Sequence, residues 1–495
     1  MSPAWNFNEG ASMRFQRPIA AIPHPLPCLA LMMAVLSVLV PLAGVRAQTE
    51  GHSRWGLPDT VLGHRLEQLL DVLSRDDEAA TREFVETVLT PDFLEMGPMD
   101  IHLEHFASMR ETLGTFTVDD IRIPGLRADL VLTSESGART DLHVELEDIE
   151  PHHVASLGMR PHDPDLEIPE FTNLDEVHAY VSRLGDANKF AGVVLVERKG
   201  APELLHAYGM ANKERGVKNT ADTRFNVGSI TKSFTAVAVM QLVEVGKIGL
   251  DDPMSRYLPA FPPDIADRVT VRHLLRMESG YGDYFGSPVF QARRPVMRTL
   301  DDFLDVFTDF SLDFEPGTDR QYSNTGYAIL GGIIEKASGM TYFDYVEKNV
   351  FARAGMTGSS FPEYAAARDD DGIAMGYTND GPRGLRGYRE TNLEMFTVRG
   401  NPSGGSYSTA RDLVRYTRAL RGNELLNAAN TTLLLNFFQE GEDRPSRRGI
   451  AGGAPGVSAV LLEDTSAGCT VVVLSNYDEP LGENIGQAVF TMVRE

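Results

Sequence analysis

Two residues three positions apart have the right types and spacing to do chemistry together. Ser229 and Lys232 lie in the pentapeptide GSITK (residues 228–232), which opens a segment, 233–244, that is apolar almost all round. Such a segment is typical of a buried helix, and residues three apart on a helix lie on one face, so the amine can reach the hydroxyl. If burial lowers the pKa of the lysine from about 10.4 toward 7 or 8, the amine can act as a base that makes the serine a nucleophile.

A tyrosine and an asparagine downstream form a second candidate pair. Tyr322 and Asn324 stand at the start of another apolar segment. Taken alone, Tyr322 fits a buried hydrogen-bonded tyrosine, and Asn324 fits the N-cap of a helix. Together with Ser229 and Lys232 they supply a nucleophile, proton-transfer groups and an orienting amide, and this combination favours a catalytic role.

Five segments appear in a characteristic order along the second part of the chain. They are FNVGSITKSFTAVAVMQLVEVGKIGLDDPM (225–254), VTVRHLLRMESGYGDY (269–284), FEPGTDRQYSNTGYAILGGIIEKASGM (314–340), SGGSYSTARDL (403–413) and GGAPGVSAVLL (452–462). This set resembles the serine β-lactamase and penicillin-binding protein superfamily, especially its class C-like serine hydrolase branch. The resemblance covers about residues 171–495.

The resemblance implies specific roles for these residues. Ser229 would attack a carbonyl, Lys232 and Tyr322 would share the proton transfers, and Asn324 would position the substrate and the lysine. The backbone N–H groups of Ser229 and Gly453 would form an oxyanion hole, with Gly452 beside them in the substrate-binding strand. The resemblance implies no cofactor.

The chain departs from the family at the third motif. That motif commonly begins with Lys or His on the strand facing the nucleophile, whereas this sequence has Ile450-Ala451-Gly452. An apolar residue there suits a neutral ester or amide better than an anionic substrate. Arg448 lies two residues earlier, on the same side of a strand, and is a candidate substitute for the missing cation; the alternative is a solvated surface charge.

The remaining elements predict a two-part catalytic unit at residues 171–495. A helix at 174–184 and a hairpin of strands 192–198 and 203–208 open it, and a hairpin of strands 457–463 and 470–474 followed by a helix at 485–493 closes it. If both hairpins join one antiparallel sheet flanked by helices, the mainly helical middle packs beside that sheet as a subdomain and leaves a cleft where the two meet. The resemblance implies the same α/β plus α fold.

A small α+β domain precedes the catalytic unit at residues 52–160. Helical periodicity at 62–73, 79–89 and 103–113 is followed by strand patterns at 116–121, 126–133 and 141–147. This order loosely resembles the NTF2-like fold. An acidic, proline-containing segment at 161–170 is predicted to be the linker.

Residues 1–47 have the pattern of a secretory signal. Two arginines precede an apolar run at 28–44, and Val45-Arg46-Ala47 ends it with a small residue. The run is short for a membrane-spanning helix of about 20 residues, so we expect an exported chain, periplasmic or secreted, with no membrane span after processing. Met13 is an alternative start to Met1.

Composition excludes several other function classes. The chain has 70 Asp and Glu against 46 Lys and Arg, a formal charge of -24, so a nucleic-acid partner is not expected. No Gly-x-Ser-x-Gly, His-Glu-x-x-His or Gly-x-x-x-x-Gly-Lys motif occurs.

The prediction is an exported serine hydrolase that cleaves a small-molecule or peptide ester or amide through an acyl-enzyme. The alternatives are a β-lactamase or D-alanyl-D-alanine carboxypeptidase, and a catalytically silent binding or scaffold protein. The sequence leaves the oligomeric state open.

Overall fold

The computed structural model describes residues 54–95, 98–123, 125–147, 150–379, 389–437 and 445–494. The signal predicted at 1–47 lies outside the described residues. Within these ranges, no helix combines the length and the apolar character needed to cross a bilayer.

The first unit consists of four helices followed by a four-stranded sheet. Its elements are α1 Val61–Leu73, α2 Glu78–Val88, α3 Pro91–Glu95, α4 Met99–Leu113, β1 Phe116–Arg122, β2 Arg127–Ser134, β3 Arg139–Leu146 and β4 Val154–Pro161. The sheet is an antiparallel meander in chain order. The three helices and three strands predicted from the sequence are confirmed, while α3 and β4 were not predicted. The NTF2-like likeness stays a prediction.

Alternation along the strands gives this unit its own apolar core. Leu130 and Leu132 of β2 and Leu142 and Val144 of β3 are buried on one face of the sheet, as period-two patterning requires. Helix α1 begins after Thr60, whose side-chain oxygen accepts a hydrogen bond from a backbone N–H of the first turn. The helices cover the apolar face and form one cluster with it.

The second unit contains the sheet and the helices that position the candidate catalytic residues. Its strands are β5 Gly192–Arg198, β6 Ala201–Tyr208, β7 Met210–Asn212, β8 Val217–Lys218, β9 Phe225–Asn226, β10 Tyr377–Thr378, β11 Glu390–Thr391, β12 Tyr407–Ser408, β13 Arg447–Ala454, β14 Val457–Asp464 and β15 Cys469–Ser475. Its helices are α5 Leu174–Asp186, α6 Thr231–Glu244, α7 Pro263–Ala266, α8 Val271–Arg276, α9 Pro288–Arg293, α10 Leu300–Phe307, α11 Asn324–Ser338, α12 Tyr342–Val346, α13 Ala352–Ala354, α14 Ala410–Arg421, α15 Ala428–Leu435 and α16 Leu481–Arg494.

The first and last hairpins join in one antiparallel sheet, as predicted. Its strand order is β13-β14-β15-β5-β6, and Val194 of β5 pairs with Val473 of β15. Val193 and its neighbours on one face pack into the core that contains α6, whereas Val194 and its neighbours on the other face pack with α5 and α16. Both faces of the sheet are therefore covered by helices.

Strand β13 is an edge of this sheet and lies against the turn that begins α6. A Cβ added to Gly452 of β13 would overlap the carbonyl oxygen of Val227 and lie 2.7 Å from the amide nitrogen of Ser229. The helical part and the sheet therefore meet at Ser229.

Candidate active site

A tight turn places Ser229 ahead of the buried helix α6. Gly228–Ile230 form a single 3-10 turn that runs into Thr231–Glu244. Gly228 has φ +50°, and a Cβ on it would lie 2.9 Å from the amide nitrogen of Gly453. Glycine is needed at this position because of both the left-handed backbone and the close strand.

The polar groups around the turn hold it in place. The side-chain oxygen of Asn226 accepts a 2.9 Å hydrogen bond from the N–H of Gly228. The Thr231 hydroxyl contacts both the Gly228 carbonyl oxygen at 2.8 Å and the Ser406 hydroxyl at 2.7 Å. These hydrogen bonds connect the backbone that carries Ser229 to Asn226 of β9 and to Ser406, the residue before β12.

The structure brings the predicted nucleophile and both proton-transfer groups together. The Oγ of Ser229 lies 2.6 Å from the Tyr322 hydroxyl and 3.1 Å from the Nζ of Lys232. The Nζ also lies 4.6 Å from the centre of the Tyr322 ring. Side chains separated by 93 positions in the sequence therefore share one hydrogen-bonded centre.

Three oxygen atoms surround the Lys232 amine. The Nζ donates to the Oδ1 of Asn324 and to the carbonyl oxygen of Ser403, each at 2.6 Å, and lies near Ser229 as described. Because an amide oxygen and a carbonyl oxygen can only accept, they take two N–H groups of the amine. In the neutral amine, the remaining position is the lone pair, which faces the Ser229 hydroxyl.

Burial shifts the pKa values of the two proton-transfer groups in opposite directions. Lys232 is only 2% exposed, and loss of hydration lowers its pKa to about 7, with the carboxylate of Asp283 acting in the opposite direction. Burial raises the pKa of Tyr322 well above its usual value. At neutral pH the tyrosine is therefore protonated, and a large fraction of the lysine is a neutral base.

Another residue caps helix α11, so the side-chain amide of Asn324 is available to the site. The N-cap of this helix is Ser323, whose side chain accepts from the N–H of Gly326. The alternative reading of Asn324 as the N-cap is wrong, because Asn324 is the first helical residue and its side chain points to Lys232. Its Nδ2 donates to the Oδ2 of Asp283.

Gly452 and Gly453 line the strand side of the centre. The added-Cβ distances place the amide nitrogen of Gly453 beside Gly228, and Gly452 beside the amide nitrogen of Ser229. The amide nitrogens of Ser229 and Gly453 therefore lie on adjoining backbone segments, and their role as an oxyanion hole stays a prediction.

The third-motif residues differ in where they point. Ile450 is 6% exposed and packs in the core that contains α6. The guanidinium of Arg448 lies over the Tyr416 ring of α14, 5.9 Å from its centre, and the Tyr416 hydroxyl donates to the Ser233 carbonyl oxygen. A role for Arg448 in substrate binding stays a prediction.

Sequence reasoning missed two groups at the centre, the Ser403 carbonyl and Asp283, and one group behind strand β13, Glu479. Ser403 and Asp283 lie inside segments that carry the family resemblance, but neither was singled out. A side chain on Gly453 would overlap the Glu479 carboxylate, and burial and the neighbouring Glu483 raise the pKa of Glu479 to about 7. A carboxyl group therefore covers the back of the strand at Gly453.

Comparison with known proteins gives the family. Residues 177–490, more than half of the chain, match the Beta-lactamase family. The chain belongs to the beta-lactamase family. Penicillin-binding protein 4* of Bacillus subtilis is 30% identical over 322 residues, which cover 60% of this chain and 70% of that protein.

Two further members show the range of this beta-lactamase family. Esterase EstB of Burkholderia gladioli is 29% identical over 306 residues, 56% of this chain and 76% of the esterase. The crystal structure of a penicillin-binding protein from Bacillus halodurans superposes with a TM-score of 0.57 at 31% identity, covering 64% of this chain and 98% of that one. The family contains serine hydrolases, and the superfamily resemblance seen in the sequence is confirmed.

Proposed function

We propose that the chain is an exported serine hydrolase that cleaves a neutral ester or amide through an acyl-enzyme on Ser229. The observation that carries the proposal is the pair of hydrogen-bond contacts at the Ser229 Oγ, with the Nζ of Lys232 at 3.1 Å and with the Tyr322 hydroxyl at 2.6 Å. A nucleophile needs an adjacent base and an oriented proton path, and both are present at the edge of a strand.

Acylation begins with proton transfer from the Ser229 hydroxyl to the Lys232 lone pair. The oxygen attacks the substrate carbonyl carbon, and the carbonyl π electrons move to its oxygen, which the N–H groups of Ser229 and Gly453 stabilise. When the tetrahedral intermediate collapses, the C–O or C–N bond to the leaving group breaks. The Lys232 ammonium and the Tyr322 hydroxyl, both within reach of Oγ, return a proton to the leaving atom.

Deacylation uses the same groups with water as the nucleophile. Water gives a proton to the Lys232 amine and attacks the ester carbonyl of the acyl-enzyme, and the proton then returns to the Ser229 oxygen as the acyl group leaves as an acid. Lys232 is the base in this scheme because its pKa falls to about 7, while the pKa of Tyr322 rises and keeps the phenol protonated.

The proposed preference for a neutral substrate follows from the third motif. Ile450 offers no charge to a substrate carboxylate, and its side chain packs in the core. A carboxylate brought into the cleft without a positive partner loses hydration with no compensating ion pair.

A panel of substrates tests the proposal. We expect turnover of short-chain p-nitrophenyl esters to exceed that of nitrocefin and of a D-alanyl-D-alanine peptide, and the Ser229→Ala variant to lose it. Efficient nitrocefin hydrolysis without esterase activity would support the β-lactamase alternative. An intact-mass search for an acyl adduct after incubation with each substrate shows which of them reaches Ser229.

The alternative of a silent binding protein does not account for the lysine. Burying an amine costs free energy through lost hydration, and a scaffold has no need for an amine whose lone pair faces a serine. Absence of turnover of every ester and amide in the panel, with no adduct on Ser229, would favour this alternative.

Export through residues 1–47 is part of the proposal. Expression of the full chain in a secreting host, followed by mass analysis of its amino terminus, is expected to show cleavage after Ala47. Recovery of the uncleaved chain in the cytoplasm would contradict export without affecting the proposed chemistry.

A further inference from the structure

An open cavity lies on the second unit, apart from the centre at Ser229. Its volume is about 710 Å³, a size typical of small-molecule sites. Its walls come from the residues just before β9, the segment 357–360 after α13 and the start of α14. Every lining residue is charged, hydroxyl-bearing or glycine, and none of them takes part in the chemistry proposed above. The cavity therefore suits a hydrophilic ligand.

Three arginine side chains line this cavity, and each has one carboxylate partner. The pairs, with their N–O distances, are Arg224 with Asp370 at 2.5 Å, Arg411 with Asp222 at 2.7 Å and Arg415 with Asp412 at 2.6 Å. A guanidinium carries five N–H donors in a fixed fork. In Arg411 and in Arg415 the Nη1 contacts the carboxylate, and within the described ranges Nε and Nη2 form no hydrogen bond. These donors are available to an anion in the cavity.

The two carboxylates of the lining do not cancel the charge of the arginines. The side chain of Asp222 is 79% exposed, and a pair between exposed groups contributes little free energy, so a ligand can displace it. Asp412 is buried, and its Oδ2 accepts hydrogen bonds from the Gly358 N–H and the Ser359 hydroxyl, each at 2.8 Å. Three guanidinium groups against two carboxylates make this lining positive in a chain with a formal charge of -24.

Hydroxyl groups complete the lining. The side-chain hydroxyls of Thr357 and Ser360 face the same cavity and form no hydrogen bond to any residue that the structure describes. A hydroxyl both donates and accepts, as the hydroxyls of a sugar do. Arg411 and Arg415 are four positions apart on α14 and so lie one turn apart on one side of that helix. The cavity thus combines a cationic wall with free hydroxyl groups.

We propose that this cavity binds a phosphate monoester of a sugar or another polyol. The guanidinium groups of Arg224, Arg411 and Arg415 hold the phosphoryl oxygens, and Thr357 and Ser360 contact the hydroxyl-bearing part. Guanidinium forks match phosphate oxygens in charge-assisted pairs of hydrogen bonds. A phosphate monoester carries about two negative charges near neutral pH, against one on a carboxylate, so a site with three cations favours the phosphate.

Isothermal titration calorimetry with glucose 6-phosphate tests the inference. At about 0.15 M salt the field of the net charge is largely screened, so the heat reports the local site. We expect the wild-type protein to bind glucose 6-phosphate roughly tenfold or more tighter than glucuronate. Glucuronate binding of equal affinity, or no binding of glucose 6-phosphate at about 10 mM, would overturn the inference.

The Ser229→Ala variant separates this site from the reaction centre. Because none of the lining residues belongs to that centre, the variant is expected to bind glucose 6-phosphate within about twofold of the wild-type affinity. Loss of binding in this variant would place the ligand at Ser229 and overturn the inference, while the proposed hydrolase function would stand.

Two arginine variants with matched exposure test the contact. Arg411→Gln is expected to weaken binding by about 10- to 100-fold, as for the loss of a charged hydrogen bond. Arg268→Gln is the control, because Arg268 also pairs with an exposed carboxylate and its side chain is 45% exposed, as is that of Arg411, but it does not line the cavity. Its affinity is expected to stay within about twofold. Equal losses in the two variants would show an effect of net charge alone and overturn the inference.

The Asp222→Asn variant has an expected effect of the opposite sign. It removes the carboxylate that competes with the ligand for Arg411, so binding is expected to become about two- to fivefold tighter. A gain in affinity cannot come from a damaged fold. If the arginines served only as structural ion pairs, Asp222→Asn would leave the affinity unchanged or lower it, and that result would overturn the inference.

Discussion

The pH dependence of catalysis is the sharpest consequence of the buried lysine. With a pKa of about 7 for Lys232, the neutral fraction of its amine is about one half at pH 7, one tenth at pH 6 and one hundredth at pH 5. Because only the neutral amine accepts the Ser229 proton, kcat/KM is expected to fall about fivefold from pH 7 to pH 6 and about tenfold more to pH 5. Above pH 8 it reaches a plateau.

The assay needs a substrate that does not ionise over this range. A p-nitrophenyl ester fits if the reaction is followed at the wavelength where p-nitrophenol and its anion absorb equally, at constant ionic strength. The Asp283→Asn variant removes a charge that favours the ammonium form of Lys232, so its profile is expected to shift to lower pH. A profile that stays flat from pH 5 to 8, or that rises only above pH 10, would refute Lys232 as the base, and the rise above pH 10 would point to Tyr322.

Three substitutions test other parts of the geometry. Gly452→Ala is expected to lower kcat/KM by about 100-fold, because its Cβ overlaps the Val227 carbonyl and displaces the oxyanion donors. Gly158→Ala in β4, where an added Cβ has no atom within 4 Å, is the control and is expected to stay within about twofold. Asn324→Ala is expected to lower kcat by about 100-fold or more, because Lys232 loses an orienting partner; unchanged kcat would contradict this. Asp412→Ala is expected to lower the free energy of unfolding by about 2–4 kcal/mol in urea titrations, because a buried carboxylate with three partners is removed; a loss below about 0.5 kcal/mol would contradict it.

Local patterns allowed much of the fold to be predicted from the sequence. The spacing of Ser229 and Lys232 identified one helix face, and the apolar runs at 192–198 and 457–463 identified strands that lie in one sheet. Strand β4 was not predicted, because only its first residue, Val154, is fully buried and its pattern lacks a clear alternation. Period-two reasoning detects a strand only where one face is covered.

The parts of the site that were not predicted depend on contacts distant in sequence. Ser403 contributes a backbone carbonyl to Lys232 across 171 positions, and a carbonyl leaves no trace in residue type. Asp283 meets Asn324 across 41 positions, and an aspartate after a glycine is also typical of a turn. Only the folded chain shows that both groups lie beside the nucleophile.

The most direct test of the central claim is to locate the covalent adduct on the chain. After treatment with a fluorophosphonate probe, mass analysis of the intact protein and of its proteolytic peptides is expected to show one adduct, on Ser229. The Ser229→Ala variant is expected to show none. An adduct at another serine, or labelling that persists in this variant, would contradict the account.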